Sequence, residues 1–196
     1  MFRTKLISAI LALSVVILFI GCSKAPSDLA EKTHLAIDEA QAAEADIYFP
    51  LKFMALRDSF NVAQAEIEQE KANFFLRRNY DHAAKLLAQV NAEMTALTEK
   101  TALKKEETKL QVQQMLVDMN AAIEVARASM KDAARIRKNR DWVSSYDIEV
   151  TAIESEIPVL TQLLQGEQYL TAANKASVHL EKLNQIQAGL QSLGGK

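Results

Sequence analysis

The chain has 196 residues, with 23 Lys and Arg against 25 Asp and Glu, a formal charge of −2, one cysteine, five glycines and three prolines. Charges so nearly balanced leave no electrostatic footprint for nucleic acid, a single cysteine cannot build a disulfide framework, and so few glycines and prolines leave little turn chemistry for strands. Ala, Leu, Glu, Gln and Lys dominate, which points to an all-α chain.

The first five residues, Met1-Phe2-Arg3-Thr4-Lys5, carry two positive charges and no acid, and an apolar run from Leu6 to Ile20 follows, broken only by Ser8 and Ser14. This is the layout of a secretory signal. A membrane-spanning helix needs about 20 apolar residues; the run is shorter and stops at Gly21-Cys22, so cleavage is expected rather than spanning. The residues Leu18-Phe19-Ile20-Gly21-Cys22 resemble the lipobox of bacterial lipoproteins, with Phe19 where that family usually has Leu. The resemblance implies diacylglyceryl transfer to the sulfur of Cys22, cleavage after Gly21, and this covalent lipid as the attached group, with no other cofactor. It leaves no thiol for catalysis or for a disulfide in an oxidising compartment. By resemblance to lipoprotein sorting in enteric bacteria, Ser23 implies the outer membrane, with the body facing the periplasm. Residues 1–21 are then the signal peptide and 22–27 a lipidated tether. Removal of residues 1–21 takes Arg3 and Lys5 with it, so 196 residues become 175 and the charge moves from −2 to −4.

Beyond the tether, Asp28 with Glu31 three residues later is a capping box that starts a first helix. The stretch Asp46 to Pro50 breaks it, and Pro50 suits the first turn of the next. That second helix has its seam at Phe53, Leu56, Phe60, Ala63, Ile67 and Phe74, with Glu70 inside the seam. Arg77-Arg78-Asn79 ends it, placing basic side chains at the negative end of its dipole. Tyr80, Ala83, Leu87, Val90, Met94 and Leu97 open a third stripe, and nothing stops a helix from Tyr80 to about Arg137. The polar run Thr98 to Lys109 shifts its seam out of phase, so an exposed middle is expected.

The stripe resumes at Val112, Leu116, Met119, Ile123, Ala126, Met130 and Ala133. Lys138-Asn139-Arg140-Asp141 is the next break, Pro158 predicts a kink or an early end in the helix that follows, and Gln165-Gly166-Glu167 is a further break. The last stripe is Tyr169, Ala172, Ala176, Leu183, Ile186, Leu190 and Leu193, with His179 at one seam position. Steps alternating between three and four are those of helices packed in coiled-coil fashion.

A shift of 86 places superposes Ile37, Ala40, Ala42 and Asp46 on Ile123, Ala126, Ala128 and Asp132, then Ser59-Phe60-Asn61-Val62 on Ser145-Tyr146-Asp147-Ile148. After a slip of three, Tyr80 and Ala83 fall on Tyr169 and Ala172. The order of matches is kept, which reads as an internal duplication. The expected fold is an elongated antiparallel bundle of two tandem three-helix modules, residues 28–99 and 107–193, with 194–196 a frayed tail. The stretch from about Ala36 to Asn91, with Tyr48-Phe49-Pro50 and Asn79-Tyr80-Asp81-His82-Ala83, resembles the helical domain-of-unknown-function family 4398 of bacterial envelope lipoproteins. Arg78 and Asn79 stand in place of that family's Gly and Asp. The turns at Tyr80 and Ala83 and at Tyr169 and Ala172 also resemble tetratricopeptide repeats. Neither resemblance implies a catalytic residue.

Candidate chemistry is sparse. Glu31-Lys32-Thr33-His34 has the Glu-x-x-His spacing of di-iron bundles, but that site needs the motif twice, and neither His82 nor His179 has a Glu three residues before it; no metal site is expected. Glu70 and Glu156 occupy the same seam position in the two copies, where a carboxylate must reach the bundle edge or meet a cation; a polar floor for a ligand groove is the alternative. Lys131, Arg135, Arg137, Lys138 and Arg140, with Trp142 beyond them, form a basic cluster that either complements a helix end or docks an acidic partner with an aromatic anchor. No nucleophile, metal set or acid–base pair can be assembled. The expectation is a non-enzymatic, lipid-anchored interaction module for an envelope protein or peptidoglycan partner, its oligomeric state open; the alternative is a carrier or sensor of an apolar small molecule held between helices.

Overall fold

The computed structural model describes residues 24–194, and those residues form an all-α helical bundle. Six helices follow one another: α1 (Ser27–Ala42), a single turn α2 (Ala45–Tyr48), α3 (Pro50–Ala72), α4 (Asp81–Ala133), α5 (Arg140–Gln165) and α6 (Tyr169–Gly194), with 3-10 turns at Phe75–Arg77 and Arg137–Asn139. No strand occurs among the described residues. The chain divides into two compact units, with the boundary between Thr101 and Ala102 inside α4.

Unit 1 is built on one contiguous core. Ala36, Ile37 and Ala40 of α1 meet Phe53, Leu56, Phe60, Ala63 and Ile67 of α3 and Ala83, Leu87, Val90, Met94 and Leu97 of α4. The α3 and α4 residues are the seam positions expected from spacing, and a fully buried Leu87 or Met94 contributes roughly 2 kcal/mol through the apolar surface it removes from water. Small residues at Ala40, Ala63 and Ala83, all fully buried, let the helix backbones approach. Thr33 is also fully buried, with its hydroxyl 2.7 Å from the Leu29 carbonyl and 3.2 Å from that of Leu87. It thereby ties α1 to α4.

Several local expectations are corrected. Asp28 does not cap α1: the helix begins at Ser27, with Asp28 inside its first turn and no side-chain cap hydrogen bond. Its break comes earlier than Asp46, because Glu44 turns left-handed (φ 68°) and α2 follows at once. Pro50 does open α3, where its missing N–H costs nothing. The same helix stops at Ala72, so Phe74 leaves the seam and stands exposed. Arg78, rather than Arg77, closes the helix end by donating to the carbonyls of Asn73 (3.0 Å) and Lys71 (2.8 Å).

Unit 2 repeats the arrangement with the second part of α4, α5 and α6. Its core joins Val112, Met119, Ile123, Ala126 and Met130 to Val150, Ile153 and Leu160 and to Ala172, Ala176, Leu183, Ile186 and Leu190. Burial recurs at the positions superposed by the shifts of 86 and 89: Ile37 and Ile123, Ile67 and Ile153, Tyr80 and Tyr169, Ala83 and Ala172, Met94 and Leu183, Leu97 and Ile186 are all buried. At other superposed positions the polarity is exchanged. Phe53 corresponds to Asn139, buried in a polar way by donating to the carbonyls of Ala133 (3.5 Å) and Leu193 (3.3 Å). Ala63 corresponds to Glu149, whose carboxylate meets Lys182 at 3.2 Å.

The polar middle of α4 is largely exposed, as expected, but two of its residues are covered. Thr101 and Thr108 are buried and donate to the carbonyls four residues back, Leu97 at 2.8 Å and Lys104 at 2.7 Å. A threonine satisfies its hydroxyl on its own helix and offers a methyl to the seam, which the polarity of the run conceals. Pro158 does not end its helix early: α5 runs through it to Gln165. Its equivalent in the first copy is Ala72, the last residue of α3. The break after Gln165 is a Schellman closure, with Gln168 N–H to Leu163 O at 2.9 Å and Glu167 N–H to Leu164 O at 3.3 Å. The left-handed residue is Glu167 (φ 59°), while Gly166 has φ −83°.

Candidate functional site

Cys22 and Gly21, the expected lipidation and cleavage positions, lie outside the described residues. The repeat-turn residues Tyr80, Ala83, Tyr169 and Ala172 are buried and serve packing. The seam carboxylates go different ways. Glu70 accepts the backbone N–H of Asn79 (3.0 Å) and the Asn73 amide (3.2 Å), and these bonds, the backbone one first, hold its carboxyl below the usual range. Glu156 instead pairs with Lys175 at 3.1 Å, with His179 3.9 Å away.

The remaining histidines are spread out. His34 stacks on Phe60, with ring centroids 5.9 Å apart and planes 8° from parallel, and lies 3.9 Å from Asp38. His82 meets Glu66 at 2.7 Å. No cluster of three or more metal-ligating side chains occurs among the described residues.

The basic cluster is brought only partly together. The end of α4 and the start of α5 form the two walls of a groove of about 460 Å³ in unit 2, lined by Arg127, Met130 and Lys131 from α4, by Ala134 just past its end, and by Arg140, Val143, Ser144 and Asp147 from α5. On each helix these residues are three, four and seven apart, hence on one face. Met130, Ala134 and Val143 supply an apolar floor that is buried or half-buried. Arg127 is neutralised there by Asp147 (3.3 Å) and by Glu154, and the hydrogen bond with Glu154 holds its guanidinium in the charged form more firmly still. Lys131 and Arg140 are exposed, without an acidic partner among the described residues.

Three of the expected cations stand outside this groove. Arg135 pairs with Asp132 at 3.4 Å, and Arg137 and Lys138 sit exposed on the 3-10 turn. Trp142 is 61 % exposed but follows Arg140 by two residues, about 200° round the helix, so it does not line the groove. The sequence reading missed Arg127, Met130, Val143 and Asp147. Their three-and-four spacing around the break at Lys138 was the available signal.

With this geometry in hand, comparison with known proteins adds nothing: no family model matches the chain, and neither the curated proteins nor the solved structures contain a match. No described helix is long and apolar enough to cross a membrane.

Proposed function

We propose that the protein is a lipid-anchored envelope lipoprotein, held through Cys22 at the outer membrane and facing the periplasm, that works as a non-enzymatic interaction module. The groove between α4 and α5 of unit 2 receives an acidic, amphipathic segment of an envelope protein. What supports this is the pairing of an apolar floor at Met130, Ala134 and Val143 with two unpartnered cations, Lys131 and Arg140, on its rim. An amphipathic helix laid in such a groove buries its apolar face, and its acids meet the rim. Charge complementarity of this kind selects partners and speeds encounter more than it adds affinity.

The test is photo-crosslinking in intact cells from a reactive residue at position 144, which lines the groove. The expected result is a discrete adduct whose crosslinked peptide is acidic, lost in Lys131→Glu/Arg140→Glu and in the unanchored Cys22→Ala form, and kept in Trp142→Ala. An adduct unchanged by charge reversal, or one made only with peptidoglycan, would overturn the groove assignment. A small molecule co-purifying with the acyl-free protein and raising its melting temperature would favour the carrier alternative.

A further inference from the structure

The turn between α3 and α4 presents Phe74, Phe75 and Leu76 side by side, 62 %, 48 % and 69 % exposed. The two phenyl rings touch each other, with centroids 4.7 Å apart and planes at 57°. Consecutive exposed apolar residues of this size are unusual on a protein that faces only water. They are also held in place. Arg77 N–H closes the 3-10 turn on the Phe74 carbonyl at 2.8 Å, Arg78 clamps the loop to the Lys71 and Asn73 carbonyls, and Glu70 accepts the N–H of Asn79. Ordering such a loop on a surface costs little, because its backbone is already fixed.

Its position in unit 1 says what that surface is. A groove of about 550 Å³ is lined by Ala25, Ser27 and Ala30 together with Ile67, Glu68 and Lys71, so the last turn of α3 lies against the first turn of α1. The aromatic turn is therefore at the end of unit 1 from which the tether leaves. Ser27 follows Cys22 by five residues, a reach of no more than about 20 Å. Lys24 and Arg77 at the same end are exposed, as suits a headgroup layer.

We infer that Phe74, Phe75 and Leu76 insert into the interface of the bilayer that carries the Cys22 lipid, fixing which end of unit 1 faces the membrane. This rests on the lipoprotein reading. The lipid supplies attachment, and the turn supplies orientation.

The experiment uses the mature lipidated protein, with Trp142→Phe as background, in vesicles of phosphatidylethanolamine, phosphatidylglycerol and lipid brominated near the top of its acyl chains. Intact mass first establishes the lipid on Cys22. In the Phe75→Trp protein the emission shifts to the blue and is quenched by the bromines. In the Leu51→Trp protein it is neither, because exposed Leu51 opens α3 at its far end, about 30 Å away. Adding Phe74→Ser and Leu76→Ser to the Phe75→Trp protein abolishes the quenching. A lipidated Phe75→Trp protein that stays unquenched, or is quenched no more than Leu51→Trp, overturns the insertion alone. A mature protein without lipid on Cys22 overturns the anchor and the insertion together.

Discussion

The reversal between α5 and α6 gives the sharpest test of the local geometry. Glycine at position 166 invites the reading that it is the left-handed residue of the closure, but the positive φ belongs to Glu167. Exchanging the two chemistries, Gly166→Ala with Glu167→Gly, keeps the number of glycines constant, so the unfolded chain's entropy changes little. What remains is relief of a left-handed L-residue, roughly 1–2 kcal/mol, less a long ion pair between exposed Glu167 and half-buried Lys105 at 4.0 Å that is worth about 0–1 kcal/mol. A Cβ at Gly166 would lie 3.4 Å from the Gln162 carbonyl, an ordinary contact. The double variant should therefore gain about 1 kcal/mol, raising the melting temperature by about 2–4 °C, measured by circular dichroism. Gly166→Ala alone should gain about 0.4–1 kcal/mol, and Glu167→Ala, which keeps the strain and loses the ion pair, should gain nothing. A double variant that melts at or below the wild type, with Gly166→Ala destabilised, would place the left-handed turn one residue earlier and refute the assignment.

Gly189 should not tolerate alanine: a Cβ there would lie 2.9 Å from Tyr146 Cζ and closer still to its hydroxyl, so Gly189→Ala should lose about 1–3 kcal/mol in urea titration despite alanine's better helix propensity, with Tyr146→Phe restoring part. Leu183→Ala and its counterpart Met94→Ala, both fully buried, should each cost about 2–5 kcal/mol by the same assay, and a cost below 1 kcal/mol at either would contradict its place in the core. Because the Glu70 carboxyl is held below the usual range, the stability it lends is present above the unfolded carboxyl pKa and lost as pH falls through its folded value. The melting difference between wild type and Glu70→Gln should thus be largest near neutral pH and vanish in acid; a difference that grew on acidification would reverse the sign.

The helical class and its seams were legible in the residues themselves. Steps of three and four at Phe53 to Ile67, Tyr80 to Leu97 and Met119 to Ala133 mark the faces that neighbouring helices cover, because a helix returns each side chain to the same face at that period. The same logic aligned Tyr80 with Tyr169 and Ala83 with Ala172. Features set by what lies across the interface were not legible. Phe74 fits the seam rhythm yet falls beyond the end of α3, Thr101 and Thr108 look exposed yet are buried by satisfying their hydroxyls on their own helix, and Asn139 is buried where its counterpart is Phe53. The five-cation run suggested one patch, whereas the helix turn between its members sends Lys131 and Arg140 into the α4–α5 groove, Arg135 to Asp132, and Trp142 to another face. Periodicity is a property of one helix and can be read along the chain; which carboxylate reaches a cation, which glycine lies under a ring and which loop stands at the tether's end depend on the packing of helices distant in sequence.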